Sequence, residues 1–337
     1  MFCEEALGFA KCHRVLDTRL INFAQQSAMQ LNDPSLKRYP SFRFPGGLPI
    51  TVEARHMKRI KSGSYVFTAK ADGLRVLVVF IKYYLDSDWQ NLCVTLSRDG
   101  SCHLLSVEPP SEVYENGGSL FDAELVSTTS GWSKILLFDC YSYQGSNLRE
   151  LPLSRRFSRC EKLCEASVHH EHHSVIFKIK PYHTLKKENL HDAEAFLNNS
   201  NHFLEYNTDG VILVPSGQCT CTHGRDETQF KLKMDHTIDL ILIQDTDDEE
   251  TPHYLASYDD TDDSYVTKQQ VTLTGQLEGM PVNTIFECRI VTCDEINTYV
   301  PVKPRFDKTH PNSENTLSRT LRTMADNITI AQLMTCY

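Results

Sequence analysis

Lys70-Ala71-Asp72-Gly73-Leu74-Arg75 lies between two strand-like runs, residues 65–69 and 76–81. The stretch reads K-x-D-G-x-R. Asp-Gly is a tight-turn dipeptide, so the turn sets a lysine and an arginine close together where the chain bends. A lysine held this way is placed like a nucleophile aimed at a phosphate. The same pattern also fits a strand–turn–strand hairpin with a surface lysine. The rest of the chain has to decide between the two.

At 337 residues the chain is long enough for two domains with a core each. Its longest unbroken apolar run, residues 76–81, is far too short to cross a membrane. The start, Met1-Phe2-Cys3-Glu4-Glu5, is acidic where a signal peptide is basic, which points to an intracellular protein. The 12 cysteines have no framework spacing and read as reduced thiols. Two clusters contain zinc-type ligands. One is Cys160 and Cys164 followed by His169, His170, His172 and His173; the other is Cys219, Cys221 and His223. Neither has the paired spacing of a structural zinc site, and both read as solvated loop residues.

The net charge of −10 argues against a nucleic-acid enzyme at first sight. Nine of the acids, however, fall between residues 240 and 267: Asp245, Asp247, Asp248, Glu249, Glu250, Asp259, Asp260, Asp262 and Asp263. No Lys or Arg lies among them, and the rest of the chain sums to −1. A near-neutral body can still carry a basic cleft. The acidic run itself reads as a solvated face.

Residues 17–32 carry a helical pattern, with Asp17 as cap and Leu20, Phe23, Ala24, Ala28 and Leu31 on one face. A Pro/Gly-rich stretch, 40–49, leads into what read as the first strands. Mixed α and β texture continues to about Lys233, with strand-like runs at 94–96, 135–138, 211–214 and 230–233 and a helix at 190–198. From Ile238 the texture is mostly strand: 238–243, 264–267, 271–274, 285–291 and 299–302. Short strands at this spacing suggest a small β-barrel. Beyond Ser313 helical spacing returns, with Leu317, Leu321 and Met324 on one face. The expected division is 1–236, 237–312 and a helical tail, 313–337.

Five further segments bring acids, bases and an aromatic to strands or strand ends. They are Phe121-Asp122-Ala123-Glu124, Leu137-Phe138-Asp139, Thr208-Asp209-Gly210-Val211-Ile212, Phe230-Lys231-Leu232-Lys233 and Arg305-Phe306-Asp307-Lys308-Thr309-His310-Pro311-Asn312. Singly each has a plain structural reading: a turn, an edge strand, a core phenylalanine. Together they make up a nucleotide site: one nucleophilic lysine, cations for phosphates, carboxylates for a metal and a ribose, and an aromatic for a base.

In this order the six segments resemble the signature motifs of the covalent nucleotidyltransferases, the mRNA capping guanylyltransferases and ATP-dependent ligases. The 305–312 segment resembles the capping version, which ligases lack. Size and the tail Asp326-Asn327-Ile328-Thr329-Ile330 are most similar to the compact guanylyltransferases of large DNA viruses. The resemblance implies an α+β fold: a ligase-type, ATP-grasp-like nucleotidyltransferase domain, then an OB-fold barrel, with the C-terminal helix packing back on the first domain. It implies transfer of GMP from GTP, through a lysyl–GMP intermediate on Lys70, to the 5′-diphosphate end of an RNA. Lys231 and Lys233 would lie near Lys70, favour its neutral amine and stabilise charge on the α-phosphate.

By the same resemblance Arg75, Arg98 and Glu124 line the ribose and lysine pocket. Phe138 stacks on guanine, and Lys180 in Lys180-Pro181-Tyr182 reads its O6, with Lys178 two residues away. Asp209 helps hold Mg²⁺ or Mn²⁺. Arg305, Asp307 and Lys308 grip the β- and γ-phosphates when the second domain closes. Two positions depart from the family pattern. Ala71 stands where a threonine often helps recognise guanine, and Ala123 where glycine is usual; alanine is tolerated there if φ is negative. RNA triphosphatase and cap methyltransferase are expected as separate proteins in the nucleus or a viral cytoplasmic factory, with no membrane partner. The alternatives are an ATP-dependent polynucleotide ligase and a non-catalytic RNA 5′-end binding module.

Overall fold

The computed structural model describes residues 2–7, 10–36, 41–128, 133–168, 175–200, 204–244, 252–294, 296–306 and 308–334, with side chains from residue 12 onward. Asp307, the histidines at 169–173 and the acids at 245–250 lie outside the described residues. In chain order the elements begin β1 (Phe2–Leu7), β2 (Ala10–Val15), α1 (Thr18–Asn32), β3 (Leu48–Thr51), α2 (Met57–Ser62), β4 (Tyr65–Ala71) and β5 (Leu74–Leu85). Then come β6 (Asp88–Leu96), β7 (Cys102–Leu104), β8 (Ser119–Ser127), β9 (Ser133–Tyr143), β10 (Ser146–Asn147), α3 (Leu153–Ala166) and β11 (Val175–Ile179). They continue β12 (His183–Thr184), α4 (Leu190–Leu197), β13 (Thr208–Pro215), β14 (Arg225–Leu232), β15 (Thr237–Gln244) and β16 (His253–Asp259). The last are β17 (Ser264–Val271), β18 (Ile285–Cys293), β19 (Ile296–Pro304), α5 (Glu314–Asp326) and α6 (Ile330–Met334).

Contacts divide the chain into two compact units, Met1–Leu232 with Thr329–Tyr337, and Lys233–Ile328. The first unit holds two sheets. One runs β1-β2-β7-β6-β5-β8-β9-β10, with β11 parallel to β9; the other runs β12-β4-β13-β14-β3. The K-x-D-G-x-R stretch is therefore not a hairpin. Its first strand, β4, pairs with β13 and β12, and its second, β5, pairs with β6 and β8. Asp72 and Gly73 form a corner that carries the chain from one sheet to the other. Gly73 is required by close approach and not by a left-handed φ. A Cβ there would stand 2.5 Å from the Leu125 carbonyl oxygen and 2.8 Å from Val126 Cγ1.

β5 shows how the first sheet is covered. Val76, Val78 and Phe80 join Cys160 and Leu163 of α3 in one core cluster. Leu77, Val79 and Ile81 join Leu20, Ala24, Ala28 and Leu31 of α1 in another. Burial on both faces explains the unbroken apolar run, and each such side chain contributes about 1.5–3 kcal/mol. The α1 face is covered only in part. Along β5 it continues to Arg75, and along β8 it runs Leu120, Asp122, Glu124, with cross-strand pairs Arg75–Glu124 and Leu77–Asp122. Charged residues replace apolar ones along this face beyond Leu77 and Leu120.

The second unit is an antiparallel five-stranded sheet, β17-β16-β15-β18-β19. Its edge strands are linked by a side-chain bond from Tyr299 N–H to Gln269 Oε1, 2.7 Å, with no backbone ladder between them among the described residues. Ile238, Leu240, Leu242, Leu255, Phe286 and Leu317 fill its core.

Several expectations need correction. A β1–β2 hairpin precedes α1 and pairs through β2 with β7, so strands start before the 40–49 stretch. Phe23 is 40% exposed and meets Tyr83, whereas Met29 takes the buried position on α1. β16 was not expected, and 271–274 is not a separate strand, because β17 runs through to Val271. β14 is not an edge strand; it lies between β13 and β3. The helical tail divides: α5 packs on β15 and β16 of the second unit, while α6 packs on α4 and α2 of the first. Cys160 and Cys219 are buried, not solvated, Cys160 within α3 against the first sheet. Among the described residues no group of His, Cys, Asp and Glu is arranged to hold a metal by itself.

Candidate functional site

Lys70 is the last polar position of β4, and the corner that follows places it where the two sheets meet. Its Nζ lies 2.6 Å from Asp209 Oδ1. Asp209 reaches it from β13, the neighbouring strand, where the register breaks between Thr208 and Val211. Lys70 and Asp209 keep 23% and 35% of their side-chain surface exposed, so the ion pair is open to a ligand. Register carries the same face onward: Ile212 lies opposite Thr68 on one side and Lys231 on the other. Lys231 thus shares a face with Lys70, two strands away. Lys233 is the first residue of the second unit.

The facing sheet supplies the other groups. Arg75 makes a two-pronged ion pair with Asp122, Nε–Oδ1 3.0 Å and Nη2–Oδ2 2.5 Å, and donates to the Gly47 carbonyl at 2.8 Å. Tyr141 donates to the same Asp122 oxygen at 2.5 Å. Burial works against the Arg75 charge, but Asp122 outweighs it and its pKa rises above the ordinary value. Burial, then the Asp122 charge, pushes the Tyr141 phenol up. Gly46, at φ +97°, closes over this cluster; a Cβ would stand 2.6 Å from the Tyr141 oxygen and 2.9 Å from Arg75 Nη2. Arg98 follows β6 and feels the same cluster: burial first and the Arg75 charge second lower its pKa, while Asp122 opposes them.

Arg75 also lies under two rings, 5.6 Å from the Phe44 centroid and 5.8 Å from that of Phe138. The Lys180 ammonium stands 4.3 Å from the same Phe138 centroid. Lys180 pairs with Glu124 at 3.2 Å. Lys178 is exposed and acts on Lys134 and Cys164: burial first and the Lys178 charge second lower Lys134, while burial raises Cys164 and Lys178 opposes that rise. The Phe138 backbone is fixed on both sides. Tyr182 donates to its carbonyl at 3.0 Å, and next to it Asp139 forms a buried ion pair with Arg156, Nε–Oδ1 2.7 Å. Ala123 is buried in the core and is not among the positive-φ residues, consistent with alanine in the glycine position.

In the second unit Arg305 and Lys308 converge on Asp239, at 3.1 and 3.6 Å. Asn312 closes the loop by accepting from Asp239 N–H at 2.8 Å and donating its own N–H to the Asp239 carbonyl at 2.7 Å. Burial raises the Asp239 pKa, and the two cations only partly offset it.

Sequence reasoning named the cations, and Asp209 and Glu124 that pair with Lys70 and Lys180, but missed the acids that hold Arg75, Arg156, Arg305 and Lys308. Asp122 and Asp139 stand inside motif segments and received no role, and Tyr141 and Asp239 were not singled out. For Asp139 the available signal was an acid on a strand between Leu137 and Tyr141, two residues away on either side.

A strand lysine paired with an aspartate at the junction of two sheets, with a paired arginine, a glutamate and a lysine over an aromatic ring on the other sheet's side, has the make-up of a site of the nucleotidyltransferase class. Residues 11–235 match the family model described as mRNA capping enzyme, catalytic domain, and residues 217–334 match mRNA capping enzyme, C-terminal domain. The chain belongs to the mRNA capping enzyme family. The mRNA-capping enzyme subunit alpha of Saccharomyces cerevisiae is 26% identical over 240 residues, which is 64% of this chain and 50% of that protein. Its counterpart from Schizosaccharomyces pombe is 26% identical over 222 residues, 59% of this chain and 53% of that protein. The chain spans about half the length of the curated relatives it matches. Among solved structures, mycobacterial DNA ligase D complexed with ATP and MES aligns at TM-score 0.45 and 13% identity, over 78% of this chain and 94% of that one.

Proposed function

We propose that this chain is an mRNA guanylyltransferase. Lys70 Nζ attacks the α-phosphorus of GTP; an N–P bond forms, the bond to pyrophosphate breaks and the amine gives up a proton. The terminal phosphate oxygen of a 5′-diphosphate RNA then attacks the same phosphorus, the N–P bond breaks, and Lys70 recovers its proton. The observation that carries this reading is the Lys70–Asp209 pair at the corner between the two sheets, in a chain of this family; the Arg75–Asp122 and Lys180–Glu124 pairs and Lys180 over Phe138 support it.

Asp209 is the group in contact with the amine and is placed to receive its proton. Phe138 offers a stacking face for guanine, Lys180 a donor for its O6, and Glu124, Arg75 and Arg98 the ribose and phosphate side. Lys231 and Lys233 stabilise charge at the α-phosphate. Arg305 and Lys308, with Asp307, act on the β- and γ-phosphates. With no three-residue ligand cluster among the described residues, a divalent cation fits as Mg²⁺ or Mn²⁺ held by Asp209 together with substrate phosphates. Bound there, it would neutralise phosphate charge. The RNA triphosphatase and cap methyltransferase steps are assigned to other, intracellular proteins.

The test is incubation with α-labelled GTP or ATP followed by denaturing electrophoresis. Covalent label from GTP, absent in Lys70→Ala, is expected. Label from ATP alone would make the chain a ligase-type adenylyltransferase, and no label from either would favour an RNA 5′-end binding module.

A further inference from the structure

Tyr206 stands just ahead of β13 and is 8% exposed. It belongs to one apolar cluster with Ala71, Val126 and Leu136, against which Leu204 packs. Two members of this cluster flank Glu124. Val126 follows it by two residues on the same face of β8, and Leu136 is its cross-strand partner on β9. The Tyr206 hydroxyl is buried and has no hydrogen-bond partner among the described residues. Its titration is pushed up by burial first and by the Glu124 charge second.

A buried hydroxyl without a partner is destabilising, and nearly all such groups in folded proteins are satisfied. Glu124 meanwhile has a cation: Lys180, 3.2 Å away. The proposed reading needs that lysine elsewhere, because Lys180 also stands over the Phe138 ring on which the base would stack. A ligand that draws the ammonium onto itself strips Glu124 of its donor. A carboxylate left unpaired in such a place is costly.

We propose that Tyr206 is a positioning residue for Glu124: its O–H takes over the Glu124 carboxylate when a purine nucleotide engages Lys180. The hydroxyl is left unsatisfied in the nucleotide-free protein and satisfied in the complex, so its stabilisation goes to nucleotide binding. The inference rests on reading this face as the nucleotide site.

The test is Tyr206→Phe, which removes only the hydroxyl. The free protein should melt at the wild-type temperature or above. The KM for GTP in lysyl–nucleotide formation should rise about tenfold, and the upward shift of Tm by GTP should shrink. In a Glu124→Gln background the same substitution should add little, because the cycle removes one partner first. Unchanged GTP affinity in Tyr206→Phe would overturn the proposal, as would a lower melting temperature with additive losses in the double variant, which marks a structural role. A nucleotide-bound crystal structure gives an independent reading. A Tyr206 oxygen within hydrogen-bond distance of the Glu124 carboxylate supports the proposal, and Glu124 still on Lys180 refutes it. A wild-type protein that takes no label from any nucleotide sinks the proposed function instead, a different result from a labelled wild type with an indifferent Tyr206→Phe.

Discussion

Lys70 Nζ and Asp209 Oδ1 stand 2.6 Å apart across two neighbouring strands, with the carboxylate the more exposed partner. An amine held this way does not attack until its proton has somewhere to go. Lys70→Ala should abolish covalent nucleotide attachment outright. Asp209→Asn should keep the fold, since both groups are at a partly open surface, and slow attachment by about 10²–10⁴-fold, the usual contribution of a positioned proton acceptor. Intact-mass spectrometry after timed exposure to GTP measures both, and wild-type rates in Asp209→Asn would remove Asp209 from the reaction.

Asp122 is fully buried and satisfies Arg75 and Tyr141 together. Asp122→Ala leaves a buried guanidinium without its counter-charge, which destabilises by about 3–5 kcal/mol. Urea unfolding followed by far-UV circular dichroism should show the midpoint falling, and an unchanged midpoint would mean the pair is not formed in solution.

Gly46 admits no side chain. It sits at φ +97° with the Tyr141 oxygen and Arg75 at Cβ distance. Gly46→Ala should lower stability by about 1–3 kcal/mol from the backbone alone and weaken nucleotide attachment by moving Arg75. Melting temperature and GTP titration read the two effects separately.

Buried thiols contribute to the loss of stability at alkaline pH. Burial pushes Cys102, Cys219 and Cys288 up to about 12, whereas an unfolded chain's thiols ionise from about 9. Between those values the folded state binds more protons than the unfolded one. Their contribution is therefore complete below about pH 9 and is lost as pH rises towards 12. Urea midpoints should decline over that window, and less steeply in Cys219→Ala. Exposed Cys293 should react with a thiol reagent in the native protein, and these three only after unfolding.

What the sequence disclosed, and what it concealed, follow from how each group acts. Lys70 and Phe138 were legible as members of an ordered set of motif segments, and Lys180 by resemblance alone; the structure stands Lys180 over the Phe138 ring. The helix at Thr18–Asn32 was legible from its cap and its period. Asp122 was not, because an acid paired with an arginine on an adjacent strand looks in one dimension like any strand acid. β16 was missed because it follows the acidic run and carries only three fully buried residues, Leu255, Ala256 and Ser257. Cys160 and Cys219 were read as loop thiols because hydropathy around them is low, while packing of α3 on the sheet buries Cys160. The sheet change at Asp72–Gly73 left no trace at all: turn chemistry states that the chain bends, not which partners the two arms take.

That corner has a consequence for how the protein can vary. Only four residues separate Lys70 from Arg75, yet the two belong to different sheets, each with its own register. The link therefore works as a gauge of fixed length between the wall that holds the amine and the wall that holds the guanidinium. Side chains can be exchanged along either wall and the spacing survives. An insertion or deletion in the corner has no slack to absorb it, because Gly73 already lies against the Leu125 carbonyl. Loops elsewhere can lengthen in the course of descent; this one is held to its count.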